Sequence, residues 1–167
     1  EPPCATAMYN NDSVDIWAAT QNPPADMKTV AALLGMDESK INVHVTMLGG
    51  GFGRKSKPDF SAEAAYISMK TGKPIRVQWT REDDIQHSFY HAVSAQHIEA
   101  SLNEKGNIEA YLHRTAFSPI MSTFQEGASA PGGFELDLGF TDNPILAPNM
   151  KLERGEAPAK ARIGWMR

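Results

Sequence analysis

A single cysteine, Cys4, stands among 167 residues. One thiol closes no internal disulfide, and without a cysteine cluster the chain offers no ligand set for structural zinc or an iron–sulfur centre. Cys4 itself reads as an inert side chain rather than a nucleophile. Basic excess is missing too: 16 Lys and Arg face 20 Asp and Glu, for a net charge of −4. A general nucleic-acid binder carries surplus positive charge, so nucleic acid is not an expected partner. No apolar run is long enough to span a bilayer. The apolar share of 41% and charged share of 22% are those of a globular domain, not of a disordered chain.

What is present reads as mixed helix and strand. Val14 to Ala18 is a short strand. Asn22-Pro23-Pro24 opens a helix, because proline is tolerated in a first turn. Met27, Val30, Ala31 and Leu34 share one face of that helix, and Gly35 stops it. Ile41, Val43, Val45 and Met47 alternate with polar residues, which is the period of a strand. A helix from Asp59 to Lys70 follows, with Asp59 as its cap; it holds Phe60, Ala64 and Ile67, and Thr71-Gly72 ends it. Ile75, Val77 and Trp79 alternate as a strand, and Thr80-Arg81-Glu82-Asp83 has the form of a capping box. Ala95 to Leu102 and Ile108 to Phe117 read as two strands joined by a turn at Asn103 to Asn107. The expected class is α+β, a mixed or antiparallel sheet with a few packed helices. Residues 1–167 read as one domain or a fragment, with 118–167 irregular and extended. Residues 141–162 carry three prolines, and so long a structureless stretch suits a segment that wraps over a larger protein.

The segment with the most chemical content is Leu48-Gly49-Gly50-Gly51-Phe52-Gly53-Arg54-Lys55. Four glycines in five positions leave bare backbone that approaches a ligand closely. Placed before a helix, such a run aims several N–H groups at one anionic or oxygen-rich group. It is not a phosphate-binding P-loop, nor a dinucleotide fingerprint, since Arg54 stands where each needs glycine. A tight strand-to-helix turn without a ligand is the other reading, although one or two glycines suffice for that. His87 and His91 are four residues apart, a metal-binding spacing only if both lie on one helix, and polar surface is the plainer reading. Glu63 and Glu99 have nothing in sequence that tunes them as bases, so solvated or capping roles suit them better.

An ordered series of short motifs resembles the molybdenum-binding subunit of the xanthine dehydrogenase family of molybdenum hydroxylases. More closely, it resembles the beta subunit of isoquinoline 1-oxidoreductase and its aldehyde-oxidising relatives. The series runs Glu1-Pro2, Ala19-Thr20-Gln21-Asn22-Pro23, Val30-Ala31 to Leu34-Gly35, Gly49-Gly50-Gly51-Phe52-Gly53-Arg54-Lys55, Lys73-Pro74-Ile75-Arg76, Thr80-Arg81-Glu82-Asp83 and Ile163-Gly164-Trp165-Met166-Arg167. It covers almost the whole chain.

The resemblance implies part of a cofactor-binding domain. It implies a molybdenum–pterin cofactor and hydroxylation of an electron-poor carbon in an N-heteroaromatic compound or an aldehyde. Electrons then leave through a [2Fe–2S] electron-transfer subunit. Gln21 corresponds to a residue whose amide donates to an oxygen ligand of molybdenum. Gly50, Gly51, Phe52, Gly53 and Arg54 fall in the segment beside the metal and pterin. Arg167 matches an arginine that faces substrate. The purine-oxidising branch ends its signature with Gly-Lys-Glu, whereas this chain has Arg54-Lys55-Ser56, which points away from purines. The family's catalytic glutamate belongs to a second half of the subunit. The chain is therefore expected to be a fragment that supplies one wall of the site, retains the cofactor poorly alone, is inactive by itself and is prone to self-association. The alternative from another class is a stand-alone, non-redox α+β binding module whose glycine loop takes a phosphate or carboxylate.

Overall fold

The computed structural model describes residues 1–164; Trp165, Met166 and the substrate-facing candidate Arg167 lie outside the described residues. The order is β1 (Cys4–Tyr9), β2 (Val14–Ala18), α1 (Pro23–Leu34), β3 (Ile41–Val45), α2 (Asp59–Thr71), β4 (Ile75–Gln78), α3 (Arg81–His87), β5 (Ser94–Leu102), β6 (Ile108–Phe117), α4 (Gly133–Leu136) and β7 (Asn149–Arg154). The class is α+β, as expected. Contacts divide the chain into two compact units, Glu1–Ser88 and Phe89–Gly164.

In the first unit four strands lie in the order β3-β2-β1-β4. β1 pairs antiparallel with β2 and with β4, while β2 and β3 are parallel. A parallel pair needs a long crossover, and α1 supplies it. Asn22 caps α1 by accepting the Ala25 N–H, the two prolines fill its first positions, and Gly35 ends it in the left-handed region. α1 and α2 cover one face of the sheet. The core beneath them joins Ala5, Ala7, Val14, Ile16, Ala18, Val30, Ile41, Phe60, Ala64 and Ala65. The alanines on β1 and α2 let helix and sheet approach closely. β1 gives no strong strand signal for the same reason: its inward residues, Ala5 and Ala7, are small rather than branched.

One detail of α2 differs from the sequence reading. Pro58, not Asp59, occupies the cap position, and no side chain caps this end. The Asp59 carboxylate is engaged instead by the Arg54 guanidinium. The buried stripe runs through Phe60, Ser61, Ala64, Ala65 and Ser68, while Ile67 is 41% exposed. Ser68 is fully buried; its hydroxyl donates to the Lys73 carbonyl at 2.7 Å and accepts the Tyr9 N–H at 3.0 Å. It thereby ties α2 to β1 and to the approach to β4. Glu63 accepts from the Trp79 indole at 2.8 Å, a structural role.

In the second unit β5 and β6 form the expected hairpin, and β7 joins β6 in parallel. Residues 118–148, read from sequence as extended and irregular, form the crossover that a parallel β6–β7 pair requires. The crossover holds α4, and β7 follows it. The buried Glu135 carboxylate accepts the N–H groups of Ile120 and Gly132, at 2.5 and 3.0 Å, and so gathers this segment. α3 begins with the expected Thr80–Asp83 capping box and ends at His87, so His91 is not on that helix. No group of three metal-ligating side chains occurs among the described residues.

One buried acid tests the core of the first unit. Asp26, in the first turn of α1, is 1% exposed, and its Oδ2 accepts the Thr20 hydroxyl at 2.6 Å. Burial pushes its carboxyl above the usual carboxylate range, with the Ser61 and Thr20 hydroxyls opposing the rise and the Asp59 charge adding to it. Folding therefore favours the protonated acid. The stability tied to this group is fully present below the ordinary carboxylate range and is lost as pH rises through the elevated value. Urea midpoints of the natural protein and Asp26→Asn, compared from neutral to acidic pH, should shift relative to each other in favour of the natural protein as pH falls. A constant difference between them would contradict this. Separately, Ser68→Ala should cost about 1–3 kcal/mol by taking the buried hydroxyl away from the Tyr9 N–H and the Lys73 carbonyl. Ile67→Ala should cost only about 0.5 kcal/mol, both read from unfolding curves.

Candidate functional site

β2 delivers the chain to Thr20 and Gln21, and β3 delivers it to the glycine run. Because β2 and β3 are parallel neighbours, both segments emerge from the same end of the sheet. There the main chain of Lys55 links them. Its carbonyl accepts the Gln21 N–H at 3.0 Å, and its own N–H donates to the Gly51 carbonyl at 3.2 Å. The Thr20 hydroxyl lies 3.2 Å from the same Lys55 carbonyl oxygen.

The Gln21 side chain then lies across the loop. Its Oε1 accepts the Gly53 N–H at 2.9 Å, which orients the carboxamide and leaves Nε2 as a donor. A Cβ on Gly51 would fall 2.2–2.6 Å from the Gln21 carboxamide and Cγ, so only glycine permits this crossing. Glu1 makes a second such closure, its carboxylate accepting the Gly49 N–H at 3.1 Å. Between these two occupied donors the N–H groups of Gly50, Gly51 and Phe52 make no hydrogen bond among the described residues. Gln21 Nε2 also makes none there. The run turns through a 3-10 segment, Arg54–Ser56, rather than opening directly into a helix. Its donors thus come from the loop itself, not from a helix end.

Phe52 is the strained member. It sits at φ +51° and its side chain is 68% exposed. A bulky side chain in the left-handed region costs roughly 1–3 kcal/mol. Exposure of the ring adds no burial to offset that cost. Nearby Val45 and Met47, where β3 stops short of its expected end, are also exposed, Met47 almost completely.

The cations after the loop turn inward. The Arg54 side chain was expected on the cofactor side, but it is 6% exposed and pairs bidentately with Asp59 at 2.9 Å through both terminal nitrogens. Its Nε donates to Ser88 at 2.8 Å, and its plane lies 5.2 Å from the Trp79 ring centre. This fork-to-carboxylate geometry is what guanidinium does best, and it holds the start of α2 against the loop. Lys55 is 2% exposed with its ammonium 5.4 Å from the Phe60 ring. Burial lowers the Lys55 pKa, Glu1 opposes the shift, and Arg54 adds to it. Burial likewise lowers Lys57, with Asp59 opposing. Three basic side chains, Arg54, Lys55 and Lys57, are thus buried directly after a loop whose Gly50, Gly51 and Phe52 N–H groups have no partner among the described residues, and unpartnered donors favour an electron-rich group.

The structure thus brings Gln21, Gly50, Gly51, Phe52 and Gly53 together, and it places the Arg54 side chain behind them. The sequence reading quoted Thr20 and Lys55 within motifs without giving either a role, and it passed over Asp26. The only sequence signal for them was proximity to the motifs, because buried polar pairing leaves no periodic trace.

The sequence model of the molybdopterin cofactor-binding domain matches residues 1–126. The beta chain of isoquinoline 1-oxidoreductase from Brevundimonas diminuta is 35% identical over 106 residues, 63% of this chain and 14% of that protein. A nicotinate dehydrogenase subunit from Pseudomonas putida is 28% identical over 172 residues, which takes in 99% of this chain and 14% of that protein. Quinoline 2-oxidoreductase from Pseudomonas putida 86 has the same fold, with a TM-score of 0.73 at 21% identity over 100% of this chain and 22% of that one. The chain spans 14% of the length of each of the two sequence relatives. The match over residues 1–126 contains both the Gln21 turn and the glycine loop that the fold brings together, and the chain belongs to the molybdopterin cofactor-binding domain family.

Proposed function

We propose that this chain forms one wall of the molybdenum–pterin site of a hydroxylase acting on N-heteroaromatic compounds or aldehydes. The observation that carries the reading is the fixed Gln21 carboxamide, whose Oε1 is held by the Gly53 N–H at 2.9 Å. Its Nε2 and the N–H groups of Gly50, Gly51 and Phe52 then form a set of neutral donors without partners among the described residues. Such a set fits an oxygen-rich cofactor: it donates without competing as a base, and the buried cations behind it add favourable potential. A bound molybdenum–pterin group supplies hydroxylation of an electron-poor carbon. Gln21 and the loop hold and orient that group. Phe52 presents an exposed aromatic face suited to a flat ring. The Arg54 side chain keeps the loop's far end on α2.

The substrate class rests on two supports. Arg54 and Lys55, at the end of the glycine signature, are drawn inward, and the loop carries no carboxylate for a purine. The relatives are named for isoquinoline and nicotinate. The remaining half of the molybdenum subunit would close the cleft, and a [2Fe–2S] subunit would take the electrons. Exposed Val45, Met47 and Phe52 beside the site suit an apolar surface that such a half would cover, and without it they would favour self-association.

Two outcomes are expected. Purified from a host that makes the cofactor, the 167-residue chain should hold far less than one molybdenum and one pterin per chain and turn over neither class of substrate. Stoichiometric cofactor or measurable hydroxylation would overturn the one-wall reading, while tight phosphate or carboxylate binding without molybdenum would favour a stand-alone binding module. In cofactor-loaded protein, Gly51→Ala drives a methyl into the Gln21 carboxamide and should lower cofactor content about 10–100-fold, with an unchanged circular dichroism spectrum.

A further inference from the structure

Gln21 is oriented from in front by Gly53. It is also held from behind, by a buried polar chain. Asp26 Oδ2 accepts the Thr20 hydroxyl at 2.6 Å. The same hydroxyl oxygen accepts the Asn22 N–H at 3.1 Å and lies 3.2 Å from the Lys55 carbonyl. That carbonyl in turn accepts the Gln21 N–H at 3.0 Å. Thr20 and Asp26 are both buried, so water does not substitute for either partner.

A hydroxyl has one hydrogen, and two acceptors compete for it here. Asp26 Oδ2, at 2.6 Å against 3.2 Å for the carbonyl, is the shorter acceptor. With the hydrogen committed to Asp26, the Lys55 carbonyl is left to the Gln21 N–H. Without Asp26, the hydrogen turns to the Lys55 carbonyl. That oxygen is then shared, and the turn from Ala19 to Asn22 loses its anchor to α1.

We propose that Asp26, acting through Thr20, is a positioning residue that fixes the Gln21 turn and thereby the direction in which the Gln21 amide faces the cofactor. The inference rests on the proposed role of Gln21 at the molybdenum–pterin site. It differs from a general packing role in one respect. Removing the Thr20 hydroxyl while keeping its bulk should loosen Gln21 and Gly53 specifically and leave the core of α1 and α2 intact.

Thr20→Val and Thr20→Ser test this in the cofactor-loaded protein and in its cofactor-free form, with Asp26→Asn as a third variant. Amide hydrogen exchange at Gly53 and the Gln21 side-chain amide signals read the turn directly, and molybdenum content reads the site. Thr20→Val should raise Gly53 exchange on the order of tenfold, the equivalent of about one net hydrogen bond. It should lower molybdenum content in parallel, with Ala64 and Ala65 amides still protected. Thr20→Ser, which keeps the hydroxyl, should restore both readings. Asp26→Asn retains an acceptor for Thr20 and should fall between them. Unchanged Gly53 and Gln21 signals in Thr20→Val would overturn the inference, whatever the cofactor content. Loosening of Ala64 and Ala65 to the same degree would also overturn it, since it would indicate only a structural role. If the natural protein itself holds no molybdenum, the cofactor reading fails, and the role toward the cofactor fails with it. That failure is separate from a loaded protein whose Gln21 does not move.

Discussion

The Lys55 main chain is the joint on which the candidate site depends. Its carbonyl receives Gln21 from the end of β2, and its N–H grips Gly51 from the loop after β3. These two segments belong to neighbouring parallel strands, so the sheet brings their ends together. It does not set the angle between them; that falls to the Lys55 peptide groups. Once the joint is made, the Gln21 side chain has one place to lie, across Gly51, where a Cβ would collide with it.

Charge placement follows from the same joint. A loop with three unpartnered N–H donors among the described residues needs a firm backing. Arg54 supplies it by locking onto Asp59 and Ser88. Lys55 supplies it by packing against Phe60. Both side chains carry a burial cost that a paired acid or an aromatic face partly offsets. Phe52 carries the opposite cost, strained and exposed at once. Strain without burial contributes nothing to stability, and it suits a residue whose work lies outside the core.

Much of the local structure was legible in the residues. Asn22 with its two prolines, the Thr80–Asp83 capping box and the Asn103–Asn107 turn act through near neighbours, so their meaning survives without the fold. Other features were not legible. β1 is hidden because the closeness of α2 selects alanine over branched residues. β7 is hidden in a proline-bearing stretch, because its partner β6 is more than thirty residues earlier in the chain. Asp59 looked like a helix cap because acids favour first turns, yet a guanidinium from the preceding loop is the stronger partner.

The identity of the site's donors was written in the chain itself: a glutamine next to a proline-opened helix, and a glycine run next to a strand. Backbone freedom and side-chain chemistry are local properties, and they can be read one residue at a time. The inward turn of Arg54 and Lys55, the crossing of Gln21 over Gly51 and the burial of Asp26 beneath Thr20 belong to the fold. Each depends on groups distant in sequence meeting in a water-poor space, where a polar atom keeps its place only by finding a partner.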